Sequence, residues 1–260
     1  MILTSLLVAS ALRPIGHIET IFQSKFGTPR QGGLAPDSRA TLTLDPAAVG
    51  GDAAGALDGL SQYSHVWLIW GFHLHADAPA RAKISPPILR GRKVGVFATR
   101  APFRPNPFGL TLVGLDRVDG GTLHLSGVDL VSGSPVYDIK PYLAEWDAPR
   151  DPALVGQAGS AVSSLAADQQ ALRVVVSDSA RAGIRGLGLA RGGLIEDEAQ
   201  LERVLTQCLA SDPRPVYRWR KQQREGGAAE YDLNLDSICA RCRFEEDGSV
   251  TVVSVAAAGS

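Results

Sequence analysis

The stretch Lys93-Val-Gly-Val-Phe-Ala-Thr-Arg-Ala-Pro-Phe-Arg-Pro-Asn-Pro-Phe-Gly-Leu110 organises the reading of this 260-residue chain. Val94, Val96 and Ala98 alternate with Gly95, Phe97 and Thr99, and β-branched and aromatic residues dominate, which predicts a strand. Pro102, Pro105 and Pro107 then fix φ and hold the residues before them extended, so a rigid loop follows. Gly109 restarts a strand, Leu110–Leu115. Arg100 and Arg104 project from the loop, with Asn106 beside them. A stiff loop costs little entropy to order around a ligand, and two guanidiniums suit phosphate or carboxylate. The plain alternative is a proline-braced turn with two solvated arginines. Its neighbourhood weighs against that. No Asp or Glu lies between Asp77 and Asp116, whereas Arg81, Lys83, Arg90, Arg92, Lys93, Arg100 and Arg104 do. In a chain of formal charge −1, such a one-sign block points to an anionic partner, nucleic acid among the candidates.

Upstream, Ile15–Phe22 alternates apolar and polar residues as a half-buried strand. An irregular loop carrying Arg30 and Gln31 follows, then a second strand over Arg39–Leu44. Asp52–Gln62 reads as a short helix or turn. Tyr63–His75 is apolar on both faces, with Trp67, Ile69, Gly71 and His73 on one and Val66, Leu68, Trp70 and Phe72 on the other, the mark of a central strand in a sheet or barrel. His73 at its end makes either a structural hydrogen bond or a ligand contact. Downstream, Leu110–Val118 and Thr122–Val128 form a hairpin over Asp119-Gly-Gly121. Val136–Tyr142 is a short strand whose alternation puts Val136, Asp138, Lys140 and Tyr142 on one face. There Asp138 and Lys140 are either a cross-strand ion pair or a working acid and amine beside a phenol.

Pro149–Ala171 is rich in Ala, Gly and Ser, a linker composition that divides the chain into units 1–160 and 161–260. Beyond it we expect a strand over Leu172–Ser177 and a helix over Ile195–Leu209, where Leu201, Val204, Leu205 and Cys208 recur at i, i+3, i+4 and i+7. Asp212–Arg224 interleaves Arg214, Arg218, Arg220, Lys221 and Arg224 with Tyr217 and Trp219. That pattern holds phosphates and stacks on bases, or is a solvated loop around a packed Trp. Strands over Tyr231–Phe244 and Ser249–Val255 end the sequence.

The 28 glycines and 16 prolines favour short strands and turns over a helix bundle, and 45% hydrophobic with 20% charged residues is a globular balance. No apolar run is long enough to span a membrane. Met1–Leu12 is apolar and contains Ala9-Ser-Ala11, yet no Lys or Arg precedes it, so it reads as a ragged first strand and not as a leader. Three cysteines, Cys208, Cys239 and Cys242, are an odd count and argue against a disulfide framework. The pair in Cys239-Ala-Arg-Cys242 falls on opposite faces of a strand, so we expect structural thiols, no metal site and a reducing cytoplasm. Gly186-Leu-Gly188 lacks the third glycine of a dinucleotide fingerprint, because Arg191 stands there.

Eight motifs in order resemble one family: Pro14-Ile-Gly16, Lys25–Gln31, Tyr63–Trp70, Gly95–Arg100, Phe103–Leu110, Asp129-Leu-Val131, Asp138–Tyr142 and Asp212–Arg218. The chain is similar to the TrmO family, also called TsaA-like or YaeB, of S-adenosylmethionine-dependent tRNA methyltransferases. The resemblance implies a mostly β fold: a single-sheet β-barrel N-terminal domain, a small α/β C-terminal domain, and a homodimer with the cofactor near the subunit interface. It implies N6-methylation of N6-threonylcarbamoyladenosine beside the anticodon, mainly in threonine tRNAs. It also implies a cofactor site drawing on Pro29, Arg30, Gln31, Phe72, His73, Arg100, Leu110, Asp129, Leu130, Val131 and Ser132. The family usually reads D-L-[LV]-D-G-T-P where this chain has Ser132 and Ser134. A serine is tolerable if that loop works through backbone groups; a required carboxylate would mean weak affinity. Tyr137 stands where an aliphatic residue is common.

For chemistry, Asp138, Lys140 or Tyr142 would take the target proton or orient the carbamoyl oxygen. Arg104 and Asn106, with Arg214, Arg218, Arg220 and Lys221, would face the RNA, and Arg100 or Arg104 would hold the threonyl carboxylate or a phosphate. A non-catalytic tRNA-binding module and a methyltransferase acting on another small substrate are the alternatives.

Overall fold

The computed structural model describes residues 12–75, 78–86, 92–148, 171–189 and 193–258. The stretch 1–11, Arg90 and nearly all of the expected linker, with its boundary at 160, lie outside the described residues. Among the described residues, eight strands precede the linker: β1 (Gly16–Thr20), β2 (Arg39–Leu44), β3 (His65–Gly71), β4 (Lys83–Ile84), β5 (Val94–Gly95), β6 (Phe108–Asp119), β7 (Thr122–Ser126) and β8 (Ser134–Pro141). Two short helices lie among them, α1 (Ala53–Ala56) and α2 (Ala144–Asp147). Six strands close into a barrel in the order β1-β2-β7-β6-β3-β8, every pair antiparallel, with β8 returning to β1. Closure leaves no unpaired edge. Ile18, Leu42, Val66, Leu68, Val113, Leu123, Leu125 and Val136 fill the interior.

The period-2 reading of β3 holds as far as Gly71, with Val66, Leu68 and Trp70 buried and Trp67 and Ile69 partly exposed on the outer wall, but the strand expected to reach His75 gives way to a 3-10 turn over His73–His75. The reading of β8 needs a correction. Val136 pairs with Trp70 but Asp138 pairs with Ile69, so Tyr137 is an extra residue. This bulge reverses the alternation. Val136 points inward, and Asp138 and Lys140 share the outer wall without it.

The expected strand over Val94–Ala98 is also mostly something else. Only Val94 and Gly95 pair, with Ile84 and Lys83. Val96–Ala98 is a 3-10 turn. Its carbonyls find side chains instead of a ladder: Thr99 Oγ1 and Arg104 Nη1 both donate to the Val96 carbonyl, at 2.7 and 3.2 Å. Local side-chain bonds compete with strand pairing in this way.

The C-terminal unit has the sheet order β10-β11-β12-β9, formed by β9 (Val174–Val176), β10 (Ala229–Leu235), β11 (Ile238–Phe244) and β12 (Val250–Ala257), with β12 and β9 parallel. Tyr231–Phe244, expected as one strand, is a hairpin, because Asp236 adopts a positive φ of 50° in a two-residue turn. Cys239 is partly exposed and Cys242 buried, on opposite faces of β11, and all three cysteines are unpaired. Among the described residues the unit also has three helices: α3 (Asp178–Gly186), α4 (Glu198–Ala210) and α5 (Val216–Glu225). The α4 helix starts at its cap, Asp197, whose carboxylate accepts the Gln200 N–H at 2.6 Å. The α5 helix replaces the expected loop after Pro215, which occupies the N-cap position. Barrel and sheet share one continuous apolar core, so the two units pack against each other.

Candidate functional site

The ends of β1, β3 and β7 and the starts of β2, β6 and β8 form one rim of the barrel. Three segments close over it: 21–38, 96–107 and 127–133. Gly32 of the first lies so close to the third that an added Cβ would sit 1.9 Å from the Gly127 carbonyl oxygen. Only glycine allows that approach. It brings the Gly32 N–H toward the Asp129 carboxylate, near enough to pull its pKa down. Thr111 Oγ1 donates to Asp129 Oδ1 at 2.7 Å, and the Trp70 indole N–H donates to Thr111 Oγ1 at 3.1 Å. Burial pushes the Asp129 pKa up, against the pull of Thr111, its own N–H, Arg100 and Gly32. Arg100 Nη1 reaches across to Gln31 Oε1. Gln31, Arg100 and Asp129 therefore converge from three separate segments.

A second group stands beside it. Ser134 Oγ donates to the Val131 carbonyl at 2.7 Å and lies 3.2 Å from His73 Nδ1. Its single proton being spent, the hydroxyl accepts from Nδ1–H, which leaves Nε2 as the ring's acceptor. Burial and the neighbouring His17 lower the His73 pKa, favouring that neutral form. Ser132 Oγ accepts the Thr20 N–H at 3.2 Å. Both serines thus make hydrogen bonds that the usual Thr and Asp would also supply. Phe72 packs on Trp70 with ring centroids 4.3 Å apart, and its N–H binds the Pro107 carbonyl at 2.9 Å.

Other expected residues contribute differently. Leu130 is fully buried, so its side chain belongs to the core, and its carbonyl accepts Thr20 Oγ1 at 2.9 Å. Pro29 is buried. Arg30 is exposed as a residue, yet desolvation of its guanidinium by the surrounding chain lowers its pKa, with Asp212 opposing. Leu110, 53% exposed, and Phe108, 39% exposed, lie on the outer wall next to the rim. Arg104 staples its own loop, donating to the Val96 and Thr99 carbonyls at 3.2 and 2.6 Å, with Asn106 exposed beyond it.

The proposed acid–base group sits lower on the wall. Asp138 and Lys140 form an ion pair at 2.9 Å, and both are substantially exposed. Tyr142 lies at the far end of β3, its N–H on the His65 carbonyl at 3.0 Å and its ring 6.1 Å from that of Trp67. At about 3.3 Å per residue, and with the bulged Tyr137 adding no advance, Asp138 is about 10 Å and Tyr142 about 23 Å along the strand from Ser134. One copy of the chain does not bring this group to the rim. Arg214 calls for a correction: it is a structural strut and not an open phosphate ligand. It is 6% exposed, donates to both Asp212 oxygens at 2.8 Å and to Gln222 at 2.6 Å, and lies 3.6 Å above the Phe244 ring. Arg218 lies over Tyr231, while Arg220 and Lys221 line the open face of α5 with Tyr217 and Arg224.

Thr111, Trp70 and Ser134 were missed as site residues. The one signal for Thr111 is a hydroxyl on the inward face of β6, where a buried polar group needs partners.

With this geometry in place, the chain can be compared with known proteins. Residues 17–148 match the family model of the tRNA-methyltransferase O N-terminal domain. The chain belongs to the TrmO family. The crystal structure of TrmO from Pseudomonas aeruginosa aligns with a TM-score of 0.69 at 34% identity, covering 95% of this chain and 98% of that one. The tRNA (adenine(37)-N6)-methyltransferase of Escherichia coli K12 is 37% identical over 239 residues, 90% of this chain and 93% of that protein. The rat protein of the same name is 46% identical over 138 residues, 53% of this chain, but the match spans only 32% of its own length. The match to the mammalian relative thus spans about half of this chain, whereas the two bacterial matches span nearly all of it. No helix among the described residues is long and apolar enough to cross a membrane.

Proposed function

We propose that this chain methylates N6 of adenosine 37 in tRNA, using S-adenosylmethionine, and that its substrate is the N6-threonylcarbamoyl form carried mainly by threonine tRNAs in the cytoplasm. The observation that carries the reading is the convergence of Gln31, Arg100 and Asp129 on one rim of a TrmO-family barrel. The donor set fits the cofactor. An arginine suits its carboxylate, the half-buried Asp129 carboxylate suits its ammonium or ribose hydroxyls, the His73 Nε2 lone pair adds an acceptor, and Phe72 offers an apolar face. When bound, the cofactor supplies an electrophilic methyl group.

The chain's own residues then have two tasks. The first is alignment, since transfer to a poor nucleophile depends on holding the reacting atoms in line. Gln31, Arg100 and the Asp129 carboxylate fixed by Thr111 do this. The second is proton removal, because the urea-like nitrogen has a weak lone pair until its proton leaves. The Asp138 carboxylate, held by Lys140, takes that proton, and Tyr142 orients the substrate.

That assignment needs a second copy, because Asp138 is remote from the rim of its own barrel. The outer wall offers a dimer surface. Phe108 and Leu110 are exposed there, and the half-buried Trp67, Ile69 and Leu112 continue the patch across β3 and β6. A contiguous apolar patch of this kind suits a symmetric interface. RNA contacts come from Arg218, Arg220 and Lys221 of α5 and from Asn106.

The test is methyl incorporation from labelled S-adenosylmethionine into bulk tRNA with and without the threonylcarbamoyl group. Incorporation into modified tRNA alone is expected. Equal incorporation into unmodified tRNA would remove the carbamoyl substrate, and cofactor binding without any incorporation would remove tRNA.

A further inference from the structure

Segment 21–38 carries Pro29, Arg30 and Gln31, and it is gripped from two sides. The barrel holds it through the Gly32 contacts and through Ser38, whose Oγ lies 3.2 Å from the Val128 carbonyl and whose own carbonyl accepts the Gly127 N–H at 3.1 Å. The C-terminal domain holds the other side. The Asp236 N–H donates to the Ile21 carbonyl at 2.5 Å. Leu233 packs on Gly27, where an added Cβ would lie 2.5 Å from Leu233 Cδ1. Asp212 acts on Arg30.

The densest contact is Asp37. Its Oδ1 accepts Arg203 Nε at 3.1 Å and its Oδ2 accepts Gln207 Nε2 at 2.6 Å. Its N–H donates to Gln207 Oε1 at 3.1 Å, and its carbonyl accepts Gln200 Nε2 at 3.2 Å. Gln200, Arg203 and Gln207 lie at i, i+3 and i+7, one face of α4. Burial works against ionisation of Asp37, but the bonds from Gln207 and Arg203, with the charges of Arg203 and Arg39, outweigh it and hold the pKa below the usual carboxylate value. Between Asp37 and Gln31 the backbone is a run of tight turns: Leu34 N–H to Gln31, Ala35 N–H to Gly32 and Ser38 N–H to Ala35, each at 3.0 Å. Such a run links the backbone around Asp37 to that of Gln31 and Gly32 through successive hydrogen bonds.

We infer that Asp37, with Gln200, Arg203 and Gln207, positions residues 29–32 for the reaction, so that the C-terminal domain presets the cofactor loop of the barrel. This rests on the reading of that loop as part of the cofactor site. Asp37 touches none of the proposed reacting groups; it is a positioning residue.

The experiment uses the full-length protein and compares D37A, D37N and the R203A/Q207A pair with the parent. Two quantities are read: amide hydrogen exchange of residues 28–34 without cofactor, and KM and kcat for S-adenosylmethionine. D37A should speed exchange in that segment and raise KM about tenfold with kcat at saturation within about twofold, a cost of misplacement and not of lost chemistry. D37N, which keeps an acceptor for Gln207, should recover part of the loss, and R203A/Q207A should match D37A. Lower thermal stability with unchanged exchange in 28–34 would overturn the inference, leaving Asp37 a merely structural contact. Faster exchange with unchanged KM would instead overturn the cofactor reading of the loop, a different failure that the two measurements separate.

Discussion

Two proline-arginine segments invite comparison, Arg100-Ala-Pro-Phe-Arg-Pro-Asn-Pro107 on the barrel and Asp212-Pro-Arg-Pro-Val-Tyr-Arg218 on the C-terminal unit. They are alike in composition and differ in fate. In the second, an acid two residues before Arg214 takes two of its nitrogens, Gln222 takes a third, and the guanidinium stacks on Phe244. In the first, no acid is nearby in sequence. Arg104 settles for backbone carbonyls of its own loop, and Arg100 stays exposed with one bond to Gln31. An arginine with a local acid becomes architecture, whereas one in an acid-free block remains available to a ligand.

Substitutions sharpen this contrast. R214A should cost about 3 kcal/mol, because it strands Asp212 and removes a buried stack, whereas R104A should cost about 1 kcal/mol. Urea unfolding of both variants measures the gap, and equal costs would break the comparison. R100A should behave in the opposite way. Stability should change by no more than about 0.5 kcal/mol, while the S-adenosylmethionine dissociation constant rises about tenfold, read by calorimetry. The exposed cations of α5 come next. Replacing Arg220, Lys221 and Arg224 with alanine should lower the salt slope of tRNA binding by about 2, with cofactor affinity unchanged. An unaltered slope would make this face a solvated one.

The smallest effect concerns pH. The folded pKa of Asp37 is depressed, so its contribution is present above the unfolded value and is lost as pH falls through the folded one. Parent and D37N stabilities should therefore converge in acid. At neutral pH the charge-dependent part should stay below about 1 kcal/mol, since both partners of this pair keep solvent contact.

Much of the barrel was legible because strand periodicity is local. β1, β2, β3 and the β6–β7 hairpin fall where the alternation of residues places them. The β8 bulge was not legible, since nothing in Val136–Tyr142 marks Tyr137 as the extra residue; the register across β3 decides it. The α5 helix was hidden by its polarity and by Pro213 and Pro215, which look like loop residues until Pro215 proves to start a helix. The α3 helix buries only Ala180 and Ile184, too little for a periodic signal. In the site, Gln31, Arg100 and Asp129 were named through family resemblance. Their convergence was beyond sequence reading, because residues 31, 100, 111 and 129 meet only when the barrel closes. Thr111 shows this best: its role depends on Trp70 and Asp129 arriving on either side of it.

The single extra residue at Tyr137 makes β8 a strand with two independent reading frames. Ahead of it, Ser134 and Val136 are committed to the rim and the barrel lining; beyond it, Asp138 and Lys140 are committed to the wall. Deleting Tyr137 would remove the bulge and leave both populations in place, because Val136 would then stand directly before Asp138 and each already faces consecutive residues of β3, Trp70 and Ile69. In evolutionary terms, a one-codon loss at this position would spare the facing of both halves, whereas a loss among Asp138, Ile139 and Lys140 would turn the residues beyond it to the other side.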